Sequence, residues 1–167
     1  YDAVRGTGTG AGLTSNTTGA EGSNSLYANL TAFASNGVTV GTTSGTNVLN
    51  NAGQTYVAWQ WNAGGSNATN TSGSITSTVR ASTTAGFSIV TYAGSGAAGT
   101  VGHGLGVAPK FMIMKNRDQA YNWEIYHIDA TASSGRLIFT TSAKLTDASP
   151  WNQGSSPPSS TTFGYDL

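Results

Sequence analysis

Apolar residues in this chain come in short runs separated by glycine-, proline- and asparagine-rich turns. No window carries the 3.6-residue periodicity of a long amphipathic helix. The clearest run is Thr55–Trp61, where Tyr56, Ala58 and Gln60 share one face and Val57, Trp59 and Trp61 the other. That alternation predicts a half-buried strand with its large apolar side on the odd positions. Phe87–Tyr92 alternates in the same way. Lys110–Lys115, which follows Pro109, has an apolar interior and predicts a strand buried on both faces. Further strands are expected at Val38–Val40 after the Asn36-Gly37 turn, within Ser74–Arg80, and at Asn122–Ile128, Arg136–Thr141 and Thr162–Tyr165. Leu26, Leu30 and Phe33 stand at helical spacing within Ala20–Phe33, which fits a turn or two of helix or a loop over a core. Gly94–Gly106 reads as loop. The expectation is an all-β chain with little or no helix, built as antiparallel β-sandwich, jelly-roll-like repeat units. Its core should contain Val57, Phe87, Ile89, Met112, Met114 and Trp123.

Only 8% of residues are charged, against roughly 25% in ordinary soluble domains. Threonine, serine and 23 glycines take their place and favour extended backbone and tight turns over helix. Formal net charge is zero, so nothing draws the chain toward nucleic acid or an anionic membrane. The same neutrality lowers the barrier to self-association. The expected working state is therefore a homo-oligomer, trimeric or filamentous. Cysteine is absent, which excludes disulfide staples, thiolate catalysis and cysteine-ligated metal. No run approaches the roughly 20 apolar residues of a membrane-spanning helix, so membrane insertion is not expected.

The pattern that opens the chain returns near its end. Tyr1-Asp2, Gly10, Leu13 and Asn16-Thr17-Thr18 have counterparts in Tyr126-His127, Gly135, Leu137 and Thr140-Thr141-Ser142. This reads as a window on a tandem array cut from a longer polypeptide. Residues 1–64 would be the C-terminal part of one unit and residues 86–167 the N-terminal part of the next. Residues 65–85 would form a linker or connecting strand, with Gly64–Gly73 as its polar low-complexity stretch.

The sharpest string is Thr100-Val101-Gly102-His103-Gly104-Leu105-Gly106-Val107-Ala108-Pro109-Lys110. As a phosphate cradle it fails, because it lacks the lysine-serine/threonine ending and leads into a strand where a helix is needed. His103 reads as a residue that orders its own loop. Among the carboxylates, Glu124 and Asp129 lie on or near one strand, but nothing favours them as the facing pair a glycosidase requires. There is no Asp-rich calcium loop and no serine in a nucleophile-elbow string. Sequons at Asn16, Asn29, Asn67 and Asn70 are expected by chance in so Asn- and Thr-rich a chain. No catalytic, cofactor-binding or metal-binding residue is assigned. Of the tryptophans, Trp59, Trp61 and Trp123 fall on expected strands and read as core. Trp151, in a loop after Pro150, is the candidate ligand-binding aromatic.

Four strings together carry a resemblance: Gly86–Tyr92, Thr100–Lys110, Phe111–Arg117 and Asn122–His127, joined by Asn50–Gly53 with Thr55–Gly64. They resemble a repeat domain of tail-fibre and appendage proteins of tailed bacteriophages, the marine and cyanobacterial type, over most of residues 30–140. The resemblance implies a non-enzymatic virion module of a tail fibre, tail tip or capsid appendage. It also implies a β-sandwich fold, frequent multimerisation, other virion proteins as partners and a role in host-surface attachment through glycan. It carries over no catalytic residue. Two other classes fit the composition: a bacterial secreted adhesin or filament subunit at the cell surface, and a carbohydrate-binding or depolymerising tailspike module.

Overall fold

The computed structural model describes residues 1–8, 10–23, 30–41, 49–131, 135–145 and 157–164. Their architecture is all-β: every sheet is antiparallel and the one α-helix has four residues. The chain forms two compact units. One comprises residues 1–60 with residues 116–122; the other comprises residues 61–115 with residues 123–167. The polar stretch after Gly64, expected to begin a linker or connecting strand over residues 65–85, contains a strand at Ala68–Asn70.

In the first unit, β1 (Leu30–Ala34) and β2 (Gly37–Val40) form a hairpin pairing Ala34 with Gly37 and Leu30 with Val40. The helical spacing of Leu30 and Phe33 therefore does not become helix. A single helical turn is costly to nucleate, whereas the Ser35-Asn36 turn delivers Val38 and Val40 directly to a ladder. Leu26 lies outside the described residues. Leu30 is buried, as is Ala11, and its carbonyl accepts from the Gly8 N–H at 3.0 Å.

A second correction concerns Thr55–Trp61. Among the described residues this segment joins no sheet, and Val57 and Trp59 are 78% and 79% exposed. Alternation defines two faces of an extended chain but does not supply the neighbouring strand that would cover them. Val57, Trp59 and Trp61 are thus not core.

In the second unit, β3 (Ala68–Asn70), β4 (Ser77–Ser82) and β5 (Phe87–Tyr92) make one three-stranded sheet. β6 (Thr100–Gly102) lies inside the stretch expected as loop. Its partner is β10 (Thr162–Gly164), distant in sequence, with Phe163 opposite Val101. β7 (Phe111–Lys115), β8 (Trp123–His127) and β9 (Leu137–Ile138) make the second three-stranded sheet. Between β8 and β9 lies the helix α1 (Ile128–Thr131). The core contains Val79, Val101, Leu105, Ile125 and Phe163, together with Tyr126, which is 1% exposed. Burial pushes the Tyr126 phenol pKa up, helped by the Asp129 carboxylate. Phe87, Ile89, Met112, Met114 and Trp123 are half-buried. The Tyr92 hydroxyl donates to the Met114 sulfur at 3.4 Å and its ring meets Phe163 edge-on at 6.2 Å, so β5, β7 and β10 share these contacts.

β7 is not buried on both faces as its composition predicted. Among the described residues it is an edge strand, and Phe111 and Ile113 are 53% and 47% exposed. A run of apolar residues fixes only that both faces are apolar; the sheet order decides which of them is covered.

Candidate functional site

The Thr100–Lys110 string forms a joint in the second unit, and Thr100, Gly102 and His103 each have a local reason there. Thr100 exchanges hydrogen bonds with Ser74, its N–H donating to Ser74 Oγ at 2.9 Å and its Oγ1 accepting from the Ser74 N–H at 3.1 Å. The Thr100 carbonyl accepts from the Ile75 N–H at 2.9 Å. Gly73 crosses the same carbonyl so closely that a Cβ there would sit 2.2 Å from it. Gly102 is similarly confined: an added Cβ would fall 2.0 Å from the Asn70 amide oxygen. Its carbonyl accepts from the Ser77 hydroxyl, a buried residue, at 2.9 Å.

His103 is 2% exposed. Its Nδ1 accepts from the Leu105 N–H at 3.2 Å, which assigns the ring proton to Nε2. Nε2 then donates to the Ser159 carbonyl at 3.2 Å, and the His103 N–H donates to the Thr161 carbonyl at 3.2 Å. Burial holds the imidazole pKa below its ordinary value; the Ser159 carbonyl opposes that shift more weakly. Both ring nitrogens thus face main-chain groups. The histidine fixes the conformation of its loop and the approach to β10, and this geometry offers no proton transfer to a hydroxyl.

The first unit is held by ions. Arg5 donates to Asp2 through Nε and to Glu21 Oε1 through an Nη1 at 2.6 Å. Glu21 Oε2 accepts from Arg117 Nε at 2.5 Å, and the Glu21 N–H donates to the Arg117 carbonyl at 2.8 Å. Arg5 and Glu21 are largely covered while Arg117 is half open. The arrangement clamps residues 116–122 to the N-terminal coil. Sequence reasoning missed it because its members lie far apart in the chain. It also missed Asn70 and Ser159 as partners of the glycine-histidine loop.

Several aromatic side chains are exposed. In Thr55–Gln60 the Tyr56 hydroxyl accepts from the Asn51 N–H at 3.0 Å, while Val57 and Trp59 project into solvent. Trp61, in the second unit, stacks on Phe87 with centroids 5.9 Å apart and an interplanar angle of 17°. Trp123 packs on Phe139 at 6.0 Å. Trp151 lies outside the described residues. Among the described residues no group of three or more His, Asp or Glu side chains could hold a metal ion, and no helix is long and apolar enough to cross a membrane.

These features define an all-β module whose most specific string is a structural joint. The chain belongs to the family described as a domain of unknown function, DUF7483, whose model matches residues 1–166. No curated protein and no solved structure matches it.

Proposed function

We propose that the protein is a non-enzymatic structural module of a phage virion, in a tail fibre, tail tip or capsid appendage. In this reading its antiparallel sheets act as a β-sandwich repeat unit in a multimer, contributing to host-surface attachment. The observation that carries the reading is the resemblance of Asn50–Gly64 and Gly86–His127 to tail-fibre repeats. Two findings support it. The strings that carry the resemblance build joints and edges, as the Thr100–Lys110 loop does. The surface also combines few charges with uncovered apolar residues, a composition that suits packing against neighbours. The test is peptide mapping of purified particles of a phage that encodes the chain. Recovery at a fixed copy number per particle is the expected result; absence from intact particles, with the chain present in the lysate, would exclude the reading.

The exposed Trp59 favours a second reading, in which the module binds carbohydrate by stacking a sugar face on the indole. A glycan array in which binding is lost on Trp59→Ala separates this reading from the first.

A further inference from the structure

The sheet of β3, β4 and β5 turns one face to the core, where Ser77 and Val79 are buried. Its register sets Ser82 opposite Phe87 and Arg80 opposite Ile89. Opposed residues share a face, and so do residues two apart in a strand. Arg80, Ser82, Phe87 and Ile89 therefore lie together on the other face, with Thr78 and Thr91, and all six are half-buried. Trp61 lies on this face. Its indole stacks on Phe87 with centroids 5.9 Å apart and planes within 17°, yet it is 66% exposed. One side of the indole is thus held by Phe87 and the other is open to solvent. Arg80 is the only charged residue of the three strands, and no aspartate or glutamate occurs between Glu21 and Asp118. Its Nε donates to the Gly64 carbonyl at 3.0 Å, just after Trp61 in the chain. Among the described residues it forms no salt bridge.

We propose that this face binds an acidic carbohydrate, a pyranose that lays its C–H face on the Trp61 indole and sets a carboxylate on the Arg80 guanidinium. Both halves of the ligand follow from the geometry. An indole fixed by a stack is a rigid apolar platform, so a flat face of C–H groups settles on it at little ordering cost. The Arg80 guanidinium is anchored through Nε, which leaves the Nη groups of its planar fork as donors to a carboxylate. A half-buried cation with no carboxylate beside it favours an anionic ligand over a neutral one. The surrounding groups are uncharged: the hydroxyls of Thr78, Ser82 and Thr91, and the exposed Asn62, whose Oδ1 accepts from the Gly64 N–H at 2.9 Å and whose amide N–H groups can meet a sugar hydroxyl. An acidic peptide would bring several carboxylates to a sheet that offers one cation. The inference rests on the carbohydrate class of the second reading above, moves it to a residue of the second unit and adds a charge requirement.

The test is calorimetric titration of the full chain with oligomers of galacturonate, glucuronate and mannuronate, each beside its methyl ester, which keeps the sugar and removes the charge. Wild type should bind at least one of the acids, about tenfold more tightly than its ester. Arg80→Gln should bring that acid and its ester to within about twofold of each other while ester binding persists. Arg80→Lys, which keeps the charge and loses the planar fork, should retain part of the preference. Trp61→Ala should weaken acid and ester alike by about tenfold or more. Circular dichroism checks that each variant is folded. Chemical-shift changes at the Trp61 and Arg80 Nε–H groups of wild type locate the ligand without any substitution. Acid and ester bound equally by wild type, or binding lost on Trp59→Ala and kept on Trp61→Ala, would overturn the inference and leave the carbohydrate reading standing. Binding of none of these sugars would overturn the inference, and the glycan array with neutral sugars then decides the second reading separately.

Discussion

His103 and Ser159, 56 positions apart, are joined by a hydrogen bond from the imidazole Nε2 to the main-chain carbonyl at 3.2 Å. A side chain on the glycine loop thereby fixes the strand that pairs with β6. The other ring nitrogen accepts from Leu105, so the arrangement requires a neutral ring carrying its proton on one particular nitrogen.

That requirement predicts acid sensitivity. Burial depresses the folded-state pKa of His103 below its ordinary 6.5, so below that pH the unfolded chain binds more protons than the folded one. The contribution is complete above about pH 6.5, declines as pH falls below it, and levels off once pH is beneath the depressed folded value. Urea unfolding of wild type and His103→Leu between pH 7.5 and 5 should show the stability gap narrowing on acidification. A gap that does not change with pH would contradict the assignment. At pH 7.5 the substitution should cost about 1–3 kcal/mol, the penalty for leaving the buried partners unpaired.

Glu21 bridges two arginines of unequal exposure, and the two should be unequal in worth. Removing the charge with Glu21→Gln strips Arg5 of a largely covered partner and should cost on the order of 2–3 kcal/mol. Arg117→Ala breaks the contact to a half-open guanidinium and should cost about 0.5–1 kcal/mol. Thermal unfolding of both variants at low and high salt checks the ranking.

Gly73→Ala should destabilise by about 1–3 kcal/mol, because the new Cβ meets the rigid Thr100 carbonyl. Gly65→Ala, where an added Cβ meets nothing within 4 Å, should be neutral within about 0.5 kcal/mol. Equal midpoints for the two in guanidinium would rule out the close approach.

Trp59, one of three tryptophans that sequence reasoning placed in the core, should be dispensable for folding. Trp59→Ser should shift the stability of the monomer by less than about 0.5 kcal/mol. Tyr126→Ala, at the most covered aromatic among the described residues, should cost about 3–5 kcal/mol. Chemical denaturation at low protein concentration measures both.

β5, β7 and β8 were legible within a residue or so because their signal is local: alternation or an apolar run bounded by glycine, proline or asparagine. The same local signal misled at Thr55–Trp61, since coverage depends on a neighbour that no short window contains. β6 was hidden for the converse reason. Three residues in a glycine-rich stretch become strand only because Phe163 and its flanks arrive from far down the chain. The string Thr100–Lys110 could be recognised as specific, but its purpose lay with Asn70, Gly73 and Ser159, none of which it contains. The Arg5, Glu21 and Arg117 clamp left no signature, because ion pairing across such separations has no sequence period.

The chain passes between its two compact units three times, after Gln60, Lys115 and Asn122. Neither unit is thus a continuous stretch of coding sequence, and no single recombination breakpoint can exchange one of them whole. A crossover at Gln60 would bring Arg5 and Glu21 from one parent and Arg117 from the other. Exchange of the first unit between related genes must carry the short 116–122 insert along with the first 60 residues, or the carboxylate at position 21 inherits a partner it was not selected with.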